Sequence, residues 1–101
     1  MKSLVTQARL KELLTYARKT GRFYWRKRHG MARPGTEAGT NSEGYIRIGI
    51  DRRNYLAHRL AWLYVYGEHP VQEIDHRNNN PADNRIANLR RATPPTFMIS
   101  D

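Results

Sequence analysis

Ile74-Asp75-His76-Arg77-Asn78-Asn79-Asn80-Pro81-Ala82-Asp83-Asn84-Arg85-Ile86-Ala87-Asn88-Leu89-Arg90 is the stretch on which the reading of this chain turns. It sets a carboxylate beside an imidazole and follows them with asparagines and arginines. A carboxylate can hold a divalent cation, and a neutral imidazole can take a proton from water near neutral pH. Nearby arginines grip phosphate with two parallel hydrogen bonds. Together these are the parts needed to hydrolyse a phosphodiester. Asn78-Asn79-Asn80-Pro81 reads as turn chemistry rather than as ligands. Asp83 and Asn84 read as short polar side chains that satisfy the backbone of the excursion.

Upstream, the period of the apolar residues changes twice. Tyr45 to Ile50 alternates, with Ile46, Ile48 and Ile50 on one face and Tyr45, Arg47 and Gly49 on the other. Asp51-Arg52-Arg53-Asn54 makes a polar reversal and Tyr55-Leu56-Ala57 starts a returning strand, which predicts a hairpin with a basic tip. From His58 the spacing is helical, with Leu56, Leu60 and Leu63 beside Ala57, Ala61 and Tyr64. Gly67 supplies a stop and Pro70 prevents continuation. Trp62, Tyr64 and Tyr66 read as core residues, and His58, at the start of the helix, as structural. His29 and His69 carry no motif.

Further upstream, Leu10, Leu13, Leu14 and Ala17 fall at helical spacing, predicting an amphipathic helix of about three turns over Leu4 to Tyr16, closed by Thr20-Gly21. Phe23-Tyr24-Trp25 reads as a short strand. Arg26 to Asn41 holds Gly30, Pro34, Gly35 and Gly39 among Arg26, Lys27, Arg28 and Arg33, and reads as a mobile loop able to follow a phosphate backbone.

Composition narrows the partner. Across 101 residues there are 18 lysines and arginines against 9 acidic residues, a net charge of +9. An excess this large in so short a chain points to a polyanion, through release of counterions from a phosphate backbone. Charge alone does not separate DNA from RNA. The absence of cysteine excludes disulfides and thiolate zinc sites and suits a reducing cytoplasm. No apolar run approaches the roughly 20 residues needed to span a bilayer, and the first residues lack the apolar core of a signal peptide. A soluble protein of the cytoplasm (the host cell's, for a phage-encoded chain) is expected.

The combination of His58-Arg59-Leu60-Ala61-Trp62, Asp75-His76, Asp83-Asn84-Arg85 and Asn88-Leu89-Arg90 resembles the HNH endonucleases of phage type. The resemblance extends over roughly residues 10 to 93, taking in Thr20-Gly21-Arg22-Phe23-Tyr24-Trp25 and Gly44-Tyr45-Ile46-Arg47-Ile48. It implies an α+β fold: an N-terminal helix, a small antiparallel sheet or hairpin with a helix, and a C-terminal ββα-metal unit with a truncated last helix. Residues 1–70 would form a DNA-contacting arm and 71–101 the HNH-like unit, in one compact domain overall. The unit's strands would be Ile74 to His76 and Leu89 to Thr93.

By the same resemblance His76 is the general base, Asp75 a ligand of Mg²⁺ or a similar cation such as Mn²⁺, and Asn88 the amide that braces the Asp75-His76 loop. Arg77, Arg85, Arg90 and Arg91, with Arg47, Arg52 and Arg53 of the hairpin, would contact the phosphates of double-stranded DNA. One position departs from the family pattern: Phe97 stands where the first turn of a last helix, after Pro94-Pro95, would supply a second metal ligand. Two functions follow. One is a metal-dependent DNA endonuclease or nickase. The other is a catalytically silent HNH-like protein that binds nucleic acid, or a protein partner as a phage inhibitor or accessory factor.

Overall fold

The computed structural model describes residues 3–92. Over these residues the fold is α+β, with two α-helices and three small antiparallel sheets. Helix α1 (Gln7–Leu13) starts where the Thr6 hydroxyl accepts the Arg9 amide. It has 7 residues and gives way at Leu14 to strand β1 (Leu14–Ala17). The predicted helix to Tyr16 is therefore too long. Thr15 and Tyr16 favour a pleated strand, and β1 pairs along its length with β2 (Arg22–Trp25), from Leu14 opposite Trp25 to Ala17 opposite Arg22. Leu10, Leu13 and Leu14 are all buried, so their spacing marks burial correctly and the end of the helix wrongly. Gly21 does take positive φ, at +78°, but in the β1–β2 turn rather than past a helix end.

The segment read as a loop over Arg26 to Asn41 contains β3 (Glu37–Ala38), paired to β2, and most of β4 (Thr40–Ser42). Its glycines and prolines bend a path that the backbone then closes. Trp25 donates to the Thr36 carbonyl at 2.9 Å and accepts from Gly35 at 2.7 Å.

Strands β5 (Tyr45–Ile50) and β6 (Arg53–Leu56) form the predicted hairpin, with Ile48 and Ile50 buried and Tyr45, Arg47 and Gly49 exposed. Helix α2 (Ala57–Tyr66) follows without a linker and ends on Gly67 at φ +85°. The helix is buried on most sides through Leu60, Ala61, Trp62 and Leu63; Tyr66, read as core, is instead 56% exposed. Arg59 ties α2 to the next segment by donating to the carbonyls of Pro70 (2.7 Å) and Gln72 (3.2 Å).

Strand β7 (Ile74–His76) pairs with β8 (Leu89–Arg91), Asp75 lying opposite Arg90. A 3₁₀ turn over Ile86–Asn88 leads into β8. Thr93, expected to close that strand, and Pro94, Pro95 and Phe97 lie outside the described residues. A single core joins Leu10, Leu14, Phe23, Ile48, Ile50 and Leu60 with Ile74 and Leu89, so the β7–β8 ribbon is packed into the rest of the molecule.

Candidate active site

A polar side chain is held in place only where something answers its hydrogen bonds. The excursion between β7 and β8 meets that demand with its own amides. Asn80 N donates to Asn78 Oδ1 at 2.9 Å, and Ala82 N to Asn80 Oδ1 at 3.1 Å. Asn88, 4% exposed, spans the loop. Its Nδ2 donates to the Asp83 carbonyl (2.8 Å) and to Asn78 Oδ1 (3.0 Å), while its Oδ1 accepts from Asn78 N at 3.1 Å. Asp83 accepts from Asn78 Nδ2 and from both arms of the Arg85 fork at 2.8 and 2.7 Å, and that guanidinium holds its carboxyl down at about 2.

This frame delivers one more amide to the centre. Asn84 Oδ1 faces His76 Nε2 at 2.8 Å. An amide oxygen only accepts, so in the neutral ring the proton sits on Nε2 and the lone pair on Nδ1. Nδ1 has no hydrogen-bond partner among the described residues.

His76 and Asp75 line a cleft of about 470 Å³ together with Tyr45 from β5, His58 from α2, Glu73 and Arg90. Asp75 is exposed and makes no ion pair among the described residues. His58, 4% exposed, packs edge-on against His76 with ring centroids 4.8 Å apart. Burial, reinforced by the charges of His76 and Arg59, lowers its pKa to about 4, so it is a neutral ring near pH 7. Tyr45 stands at the lip, its ring centroid 6.4 Å from that of His76.

Among the described residues there is no group of three or more His, Cys, Asp or Glu able to enclose a metal. The free carboxylate of Asp75, with Glu73 also on the cleft, suits Mg²⁺, which keeps several waters and uses one or two carboxylates, better than it suits zinc, which takes a closed set of ligands.

Of the seven arginines expected at phosphate, Arg90 lines the cleft beside Asp75. Arg77 is exposed without an acidic partner among the described residues, as are Arg47, Arg52 and Arg53 on the hairpin. Arg85 is engaged by Asp83 at 2.7 Å, and Arg91 lies over the Trp62 ring and 3.8 Å from Glu68. Asn84 and His58 were read from the sequence as structural. An asparagine eight positions past a histidine has no periodic signal, and only the closed excursion brings them together.

Residues 55–94 match the family model described as HNH endonuclease. Over that segment the resemblance drawn from the sequence holds, and the similarity to an HNH domain suggests nuclease-type activity and nucleic-acid binding in general. No curated protein and no solved structure matches the chain. No helix among the described residues is long and apolar enough to cross a membrane.

Proposed function

We propose that the chain is a metal-dependent endonuclease or nickase of phage HNH type, acting on double-stranded DNA in the cytoplasm, with His76 as general base and Asp75 as metal ligand. The observation that carries this reading is the His76–Asn84 bond, which engages Nε2 and leaves Nδ1 without a partner among the described residues, on a residue that lines the same cleft as Asp75. His76 Nδ1 takes a proton from water as the water oxygen bonds to phosphorus and the phosphorus–oxygen bond to the leaving sugar breaks. Asn84 steadies the imidazolium that results, and Asn88 keeps the excursion closed around both. A divalent cation at Asp75, Mg²⁺ or Mn²⁺, would supply charge stabilisation on the phosphate when bound.

Of the seven arginines expected at phosphate, the contacts fall to the five that no acid engages among the described residues: Arg47, Arg52, Arg53, Arg77 and Arg90. Arg52 and Arg53 lie at the far end of β5 from Tyr45, roughly 20 Å along the strand at about 3.4 Å per residue. Five phosphates neutralised give a log–log salt slope of about −4.5.

The test is nicking of supercoiled plasmid across a Mg²⁺ and Mn²⁺ titration. Wild type cuts; His76→Ala slows cutting by roughly 10²–10⁴-fold with DNA binding intact; Asp75→Ala abolishes cutting or raises the metal requirement. A wild type inert with every divalent ion, yet still binding DNA or a protein partner, would establish the silent, binding-only reading instead.

A further inference from the structure

The β1–β2 hairpin lies wholly outside the segment that matches the HNH family, yet it is built against the backbone that carries Asn84. The Tyr16 hydroxyl donates to the Asn84 carbonyl, a buried bond across 68 positions of sequence. No backbone donor reaches that carbonyl among the described residues. The turn that follows β1 closes onto the same place. A Cβ on Gly21 would stand 2.2 Å from Arg85 N and 2.3 Å from the Asn84 carbonyl carbon, so only glycine lets the hairpin approach so near. The Tyr16 ring is fixed between Phe23, 4.8 Å away centroid to centroid, and Tyr64 at 5.6 Å.

A ring buried for packing alone would be phenylalanine, since a buried hydroxyl costs stability unless it finds a partner. Here the partner is the residue whose side chain faces the His76 imidazole. We propose that Tyr16 is a positioning residue for His76, acting through Asn84: the N-terminal hairpin fixes the Asn84 backbone, and the Asn84 amide fixes the ring's orientation and tautomer. This rests on the reading of His76 as general base. Burial raises the Tyr16 hydroxyl to about 12, so it stays protonated and able to donate over the range in which an imidazole base works.

The test uses the full chain and two readouts. Tyr16→Phe removes one oxygen and keeps the ring packing. Plasmid nicking by this variant should show kcat lowered ten- to a hundredfold, as is usual when a supporting hydrogen bond to an active-site group is lost, with KM unchanged. In an Asn84→Ala background the same change should lower kcat no further, because the amide through which Tyr16 acts is gone. The second readout is the long-range ¹H–¹⁵N spectrum of the His76 ring, which shows Nε2 protonated in wild type and a mixture of tautomers in Tyr16→Phe. Equal kcat and an unchanged ring spectrum in Tyr16→Phe overturn the proposal, as does a loss that adds fully to that of Asn84→Ala. A wild type that cuts nothing, with the His76 ring still released by Tyr16→Phe, sinks the nuclease reading and leaves the coupling standing.

Discussion

The β5–β6 hairpin and the excursion between β7 and β8 are of similar length, and they are ordered by different forces. The hairpin is a backbone ladder of four Cα pairs laid over buried Ile48 and Ile50. The excursion has little ladder of its own and is closed by the side chains of Asn78, Asn80, Asp83 and Asn88. Apolar burial tolerates exchange among residues of similar volume, whereas an amide network fails when one member is removed. The proposed chemistry belongs to the second kind of structure, where a wrongly turned Asn84 amide would change which ring nitrogen of His76 it holds.

Changes in the two regions should therefore separate stability from activity. The largest stability effect belongs to the hairpin. Ile48→Ala should cost about 2–5 kcal/mol by lost burial and the cavity left behind. Below its lowered melting temperature the variant should nick plasmid at the wild-type rate per folded molecule. A collapse of kcat in a fully folded sample would show that the hairpin shapes the cleft more directly than this comparison allows.

Asn88→Ala comes next, at about 1–3 kcal/mol, because it leaves the Asp83 carbonyl and Asn78 unanswered. Its cost should appear as faster hydrogen exchange over 77–88 and a loss of cleavage beyond what the melting curve explains. DNA affinity should stay near wild type. An unchanged melting temperature with sharply weaker DNA binding would move Asn88 from bracing the loop to contacting the substrate.

The same contrast explains what was legible beforehand. Tyr45 to Ile50 showed its strand because alternation records which face is buried, and Gly67 showed the end of α2 because φ of +85° favours glycine. Asp75-His76 was legible as part of an HNH-like segment through the company it keeps, and residues 55–94 match that family model. The end of α1 was not, because Leu10, Leu13 and Leu14 are buried in helix and strand alike. Nor were β3 and β4, whose pairing is set by where the chain turns rather than by any apolar period. The places of Tyr16, His58 and Asn84 depend on contacts between segments far apart or within an irregular loop, and neither leaves a local pattern.

His58 adds a smaller effect at the boundary of the two regions. Its folded value near 4 lies below the ordinary 6.5. Between those values the unfolded chain binds a proton that the folded chain refuses. The associated stability is fully present above pH 6.5 and is lost as the pH falls toward and past 4, with a slope approaching about 1.4 kcal/mol per pH unit. His58→Phe keeps a ring against His76 and forfeits no hydrogen bond from Nδ1, which has none. Thermal melts from pH 7.5 to 4.5 should show this part of the slope disappear in the variant. Retention of the full wild-type slope would assign the acid sensitivity to other groups.

The smallest effect is at the hairpin tip, where binding and stability pull apart. Asp51 and Arg52 both hold positive φ, at 51° and 69°, in a two-residue reversal that usually favours Asn-Gly. Asp51 has a structural reason to be there, accepting the Arg9 fork at 2.9 and 3.0 Å. Arg52 has no partner among the described residues and bears the left-handed penalty of about 1–2 kcal/mol that L side chains meet there. Glycine at this position would relieve that strain, offset by roughly 0.5–1 kcal/mol of extra chain entropy. Arg52→Gly should therefore raise the melting temperature slightly while making the log–log salt slope of DNA binding shallower by about 0.9, the contribution of one phosphate. A slope unmoved by Arg52→Gly would confine the phosphate contacts to Arg77, Arg90 and Arg47, close to the cleft, and leave the tip of the hairpin outside the DNA interface.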